Sequence, residues 1–147
     1  MDNLIVQKYG GSSLATLKQF DFVAKKVKNC LKNSNKIVIV VSAMGNTTDE
    51  LVELGESFLK DSKNIENLRD FDQLLSTGEI ISASLMSMSL RKNNVKAISL
   101  TGQKAGIFTD EFHGSARISS IDEKVILNEL KKRDVVCLLY TSPSPRD

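Results

Sequence analysis

Asn35-Lys36-Ile37-Val38-Ile39-Val40-Val41-Ser42-Ala43-Met44-Gly45 is the stretch that decides the fold. Its centre, Ile37 to Val41, is an unbroken β-branched run without polar alternation, which predicts a strand buried on both faces. Such a strand belongs inside a parallel sheet covered by helices. Asn35 before the run and the small residues Ser42 to Gly45 after it mark where the strand stops.

Upstream, Leu4 to Tyr9 reads as a shorter β-rich run closed by Gly10-Gly11, where glycine permits a tight turn. Between the two runs, Leu17, Phe20, Val23, Val27 and Leu31 recur at helical spacing and leave Lys18, Lys25 and Lys32 outside. Downstream, a helix is expected after Thr47-Thr48, whose hydroxyls can cap free amides, with Leu51, Leu54 and Phe58 on one face. Lys60 to Asn67 reads as a polar connection. From Phe71 to Asn93 two helical pieces are expected to flank Ser76-Thr77-Gly78-Glu79. The second shows Ile81, Leu85 and Met88, puts Glu79 near a helix start, and uses Met86 and Met88 as core filling.

Val95 to Leu100 is a third strand ending at Thr101-Gly102, and Ile107 to Ile118 holds a small hairpin around His113-Gly114. Asp122 to Lys132 is a helix introduced by Ser120 and Asp122, and Val135 to Tyr140 is a fourth strand run. Strands separated by helices imply βαβ crossovers, hence an α/β fold of three layers, αβα, with a mostly parallel sheet. Thr141-Ser142-Pro143-Ser144-Pro145-Arg146-Asp147 contains both prolines and no apolar residue, so a disordered tail outside the core is expected there.

At 147 residues, 41% hydrophobic and 26% charged, the chain can bury one core, which bounds it to one domain or part of one. A net charge of +2 with the two signs interspersed offers no broad basic face, so no nucleic-acid partner is expected. Lys25, Lys26, Lys28 and Lys32 read as a solvated helix face. Cys30 and Cys137 form neither a CxxC pair nor a disulfide framework and read as buried thiols of a reducing compartment. The start lacks a basic signal-peptide region, and no stretch approaches the roughly 20 apolar residues of a membrane span. A cytoplasmic protein without membrane association is expected.

Three segments could carry chemistry. Lys8-Tyr9-Gly10-Gly11-Ser12-Ser13 leaves the carboxyl end of a strand, where open α/β sheets take ligands; glycines let the backbone approach a phosphate and Lys8 supplies positive charge. A plain strand-ending turn is the alternative. The pattern is neither GxxxxGK[ST] nor GxGxxG, and Gly102-Gln103-Lys104-Ala105-Gly106 supplies neither. Ser42 to Thr48 offers donors to a phosphate or carboxylate, although capping alone would account for much of it. Glu79 could pair with an amino group or simply stabilise a helix dipole. His113 has no acid or cysteine partner at a metal-binding spacing, and no metal ligands are predicted.

In order along the chain, KYGGSS, VVSAMGNTTDEL, STGE, and TGQKAGI followed by HGSARI resemble the successive motifs of aspartate kinases in the amino acid kinase superfamily. The resemblance covers positions 4 to about 139 and takes 1–140 as the N-terminal part of an amino acid kinase domain. It implies transfer of the ATP γ-phosphoryl group to the side-chain carboxylate of L-aspartate, the step that commits aspartate to lysine, threonine and methionine synthesis. Lys8 matches the lysine at the transferring phosphoryl group, Gly10 and Gly11, with Tyr9 between them and Lys8, the phosphate cradle, and Ser42 a phosphate-side contact. Thr47, Thr48 and Glu79 match positions that hold aspartate, Glu79 facing its amino group. Arg117 either reaches the site or serves a structural ion pair.

ATP is the implied co-substrate, with Mg²⁺ held mainly through its phosphates. The family also implies a GFQG-like turn after the fourth strand, a later GRGGSD segment with a nucleoside lobe, and C-terminal ACT domains in homo-oligomers. None of these motifs follows here, and residues 141–147 match nothing in the family. The expectation is therefore a fragment, weak or inactive as a kinase by itself. The alternatives are a non-catalytic module for a small amino acid or anion, or a fragment of another amino acid kinase.

Overall fold

In the computed structural model of the chain, which describes residues 3–33, 35–112 and 116–139, the β-branched run becomes strand β2 (Lys36–Val41). Ile37, Val38, Ile39 and Val41 are all buried. Strand β2 pairs in parallel with β1 (Leu4–Tyr9) on one side and with β6 (Val135–Leu139) on the other, and β3 (Ala97–Leu100) adds to β6. The sheet thus has four parallel strands in the order β1-β2-β6-β3. Every residue of β6 is buried, whereas on the edge strand β1 the half-buried Ile5, Gln7 and Tyr9 alternate with exposed Leu4, Val6 and Lys8.

Side-chain parity divides the core in two, because successive residues of a strand point to opposite faces. Ile37, Ile39 and Val41 meet one layer, formed by Phe20, Val23 and Val27 of α1 (Leu17–Leu31) and Ala83, Met86 and Leu90 of α3 (Ile65–Lys92). Val38 faces the other way, with Val136 and Leu138, onto Leu130 of α4 (Glu123–Lys132). Helix α2 (Thr47–Leu59) packs on α3 rather than on the sheet. A two-stranded antiparallel unit, β4 (Ile107–Thr109) with β5 (Ile118–Ile121), stands apart from the main sheet. The expected αβα architecture is the one found.

Local expectations fail at α2 and α3 for one reason. Helix α3 runs unbroken for 28 residues through Ser76-Thr77-Gly78-Glu79, so Glu79 lies mid-helix and not near a start. The Ser76 and Thr77 hydroxyls donate to the carbonyls of Gln73 and Leu74 within the helix, both at 2.7 Å, and leave the ladder intact. The buried face of α3 is Gly78, Ser82, Ala83, Met86, Ser87 and Leu90, so Met86 fills the core while Met88, 58% exposed, and Ile81 do not. On α2 the inward residues are Leu51, Gly55 and Leu59, and Phe58 is 81% exposed. Gly55 lies so close to the Phe71 ring that a methyl group would overlap it. Glycine and serine carry no apolar signal, so a periodicity of large hydrophobic residues finds Leu51 and Leu85 but wrongly adds Leu54, Phe58, Ile81 and Met88, which are exposed.

Other adjustments are smaller. Thr47 is the first residue of α2 and the preceding Asn46 makes no side-chain cap, so the threonine hydroxyls do not perform the expected capping. Cys137 is buried and Cys30 only partly so; both are free thiols. Lys25, Lys26, Lys28 and Lys32 are exposed as expected. Strand β5 extends to Ile121, with Ser120 inside it, and Asp122 alone caps α4 through the amide of Lys124. His113-Gly114, Tyr140 and residues 141–147 lie outside the described residues.

Candidate functional site

Lys8 and Tyr9 end β1 opposite Val40 and Val41 of β2, so the two loops that follow leave the same end of the sheet. They are tied backbone to backbone: the Ser42 amide donates to the Tyr9 carbonyl at 3.1 Å and the Gly45 amide to the Gly11 carbonyl at 3.0 Å. Two glycines make this closeness possible. A methyl group on Gly11 would lie 2.8 Å from the Ala43 carbonyl oxygen and 2.9 Å from that of Gly45, while Gly45 itself takes a left-handed φ of +48°. Gly10 is extended, with nothing within 4 Å of where a side chain would begin, so its backbone is open to a small ligand.

Residues Gly11–Leu14 form a short 3₁₀ turn between β1 and α1, so the glycine pair does not abut the helix directly. Thr16 caps α1 in a reciprocal box with Gln19, whose Oε1 accepts from the amides of Ala15 and Thr16 at 2.7 and 3.0 Å. The Gln19 Nε2 donates to the Ser12 carbonyl at 3.2 Å and so pins the loop. This support was readable as a T-x-x-Q signature, Thr16 to Gln19.

The third contribution comes from α3. Gly78 is buried against the loop after β2, where a methyl group would lie 2.9 Å from Ala43 Cβ and 3.2 Å from both Thr47 Cγ2 and Leu51 Cδ1. The next residue, Glu79, is partly buried. Burial pushes its carboxyl up to about 8, and the nearby positive charge of Lys8 acts in the opposite direction. Lys8 and Glu79, far apart in sequence, are thus electrostatic neighbours.

The structure brings Lys8, Gly10, Gly11, Ser42, Thr47 and Glu79 to one end of the sheet. Tyr9 contributes its backbone there, since its hydroxyl donates to Gln7 Oε1 at 2.9 Å and its ring packs toward the core under α1; burial raises its phenol above the ordinary value. Thr48 is exposed in the first turn of α2, and Arg117 is exposed in the hairpin, its backbone paired with Asp110. Gly102 to Gly106 forms a 3₁₀ turn ending in a left-handed Gly106, packed on Asp122. A separate shallow depression along α2, lined by Asp49, Glu53 and Lys60 among others, contains none of the candidate residues. Among the described residues no group of three or more His, Cys, Asp or Glu could hold a metal ion, and no helix is long and apolar enough to cross a membrane.

Fold and site together define an open-sheet α/β protein in which two loops leave the carboxyl ends of parallel strands, with the charge of Lys8 acting on the partly buried Glu79 carboxyl nearby. The sequence model of the amino acid kinase family matches residues 3–140. The chain belongs to the amino acid kinase family. It is 49% identical over 119 residues to the aspartokinase of Geobacillus stearothermophilus, covering 81% of this chain and 28% of the relative. Among solved structures it resembles the aspartate kinase from Synechocystis, at 36% identity and a TM-score of 0.73 over 92% of this chain and 21% of that one. It also shares its fold with Escherichia coli aspartokinase III in complex with aspartate and ADP, at 19% identity and a TM-score of 0.72 over 95% of this chain and 42% of that one. The chain spans less than a third of the length of the curated relatives it matches.

Proposed function

We propose that this chain forms the acceptor side of an aspartate kinase, which transfers the γ-phosphoryl group of ATP to the side-chain carboxylate of L-aspartate and yields 4-phospho-L-aspartate and ADP. The observation that carries the reading is that the loops after β1 and β2, with Lys8, Gly10, Gly11 and Ser42, leave one end of the sheet backbone to backbone, with the Glu79 carboxyl near enough to feel the charge of Lys8. Curated relatives named aspartokinase choose aspartate among the acceptors that an amino acid kinase could use.

A zwitterionic amino acid needs a negative partner for its ammonium and donors for its carboxylates. Glu79 supplies the first, and the hydroxyls of Thr47 and Thr48 serve the second. Lys8, Ser42 and the backbone at Gly10 and Gly11, with Tyr9 holding the strand end, face the phosphoryl group. The aspartate side chain has a pKa of about 3.9 and is ionised near neutrality, so no general base is required. Its oxygen bonds to the γ-phosphorus as the bond to the β–γ bridging oxygen breaks, and ADP leaves with that electron pair. Lys8 offsets the negative charge that gathers on the γ oxygens, and the two loops hold the reactants in line. In this reading Mg²⁺ would be held through the ATP phosphates and would offset part of their charge. Two free thiols suit a reducing cytoplasm, where the product would feed lysine, threonine and methionine synthesis.

Isothermal titration of the chain with L-aspartate in the absence of ATP tests the acceptor site. Saturable heat with millimolar ligand, abolished by Glu79→Gln, is expected. Silence at millimolar aspartate would sink the reading, and tighter binding of glutamate than of aspartate would move it to another amino acid kinase.

A further inference from the structure

Three motif segments converge on Ala43, which is 2% exposed. Its carbonyl lies against Gly11, and its methyl lies against Gly78. Gly78 is conspicuous because an interior helix position disfavours glycine relative to alanine, yet α3 continues through it for several turns. Local backbone need does not explain it, because Gly78 has no left-handed φ; only Gly45 and Gly106 among the described glycines do. What explains it is space, since an added methyl would lie 2.9 Å from Ala43 Cβ. Neither atom belongs to the far end of a flexible side chain, so one backbone would have to yield. Ala43 is held on its other side by the Gly11 contact and the Gly45 to Gly11 hydrogen bond, so the yielding element is α3.

We propose that Gly78 is a positioning residue: seated directly on Ala43, it fixes the turn of α3 that carries Glu79 against the loop after β2 and so sets Glu79 opposite Lys8. The same contact reaches Thr47 Cγ2, so one seat registers two of the residues assigned to the acceptor. The consequence for aspartate rests on the function proposed above, whereas the geometry does not.

The test uses the 147-residue chain without ligand and records the titration of the Glu79 carboxyl by carbon-detected NMR, with aspartate affinity and thermal stability measured beside it. In Gly78→Ala, water reaches Glu79 as α3 lifts, and the midpoint falls from about 8 by roughly one unit or more. Aspartate affinity falls about tenfold. Removing the opposing methyl in the double variant Ala43→Gly/Gly78→Ala restores both. Gly55→Ala serves as the comparison, because it crowds the same helix pair at Phe71, about two turns along α2 from Thr47. It lowers stability and leaves the Glu79 midpoint in place. If Gly78→Ala loses stability as Gly55→Ala does while Glu79 titrates as in the parent, Gly78 is a packing residue only and the inference is wrong. If Gly78→Ala does not fold, the double variant decides: it must fold with the parental midpoint, and a shifted midpoint or a failure to fold overturns the proposal. Failure of the parent chain to bind aspartate would defeat the proposed function, while the Glu79 titration would still decide the role of Gly78.

Discussion

Glu79 sits in surroundings that favour its neutral form, and this has a sign that can be measured. Its carboxyl is raised from 4.5 to about 8, first by burial, with Lys8 opposing. Between those pH values the folded chain retains a proton that the unfolded chain has released. The stability from this group is therefore complete below about pH 4.5 and is lost as pH rises through 8. Glu79→Gln should remove that slope, so thermal midpoints compared at about pH 5.5 and 8.5 should fall less in the variant than in the parent. Equal falls would contradict the burial of Glu79. An ammonium ion at Glu79 favours the carboxylate, so aspartate binding should expel a proton and weaken as pH drops below about 8. Lys8→Met tests the pairing from the other side. With the positive charge gone the Glu79 midpoint should rise further, and an unchanged midpoint in NMR titration would show that Lys8 does not face it.

At the scale of elements, the start of α1 is defined by hydrogen bonds and the packing of α2 and α3 by small residues. Thr16→Ala removes the reciprocal box with Gln19 and should cost about 1 kcal/mol in urea denaturation. It should also loosen the Ser12 to Ala15 loop that Gln19 pins. The inner faces of α2 and α3 lead to a contrast that hydrophobicity alone would reverse. Phe58→Ser, at a residue 81% exposed, should stay within about 0.5 kcal/mol of the parent. Leu90→Ala, fully buried between α3 and the sheet, should cost about 2–5 kcal/mol. A Phe58→Ser loss comparable to that of Leu90→Ala would mean that α2 is rotated from the orientation described. Helix α1 was legible because its contacts are Phe20, Val23 and Val27, large residues at helical spacing. The contacts between α2 and α3 run through Gly55 and Gly78, and the buried face of α3 adds Ser82, Ala83 and Ser87, small residues that a pattern of large apolar residues passes over.

At the scale of the whole molecule, the parallel sheet follows from runs such as Ile37 to Val41 and Val135 to Leu139, because a strand without polar alternation is stable only when covered on both faces. Those runs, the helices between them and the glycine-bearing loops at the strand ends are determined by the sequence alone, since each depends on residues close together in the chain. The loop candidates Lys8, Gly10, Gly11 and Ser42 were legible for the same reason. The tertiary structure alone decided that Ala43 is the seat on which Gly78 rests and that Glu79 lies within the field of Lys8. These are contacts between distant segments, and their closeness depends on side chains that are small or absent. A glycine packed against a methyl group has no local signature, because the space it saves exists only after the chain has folded.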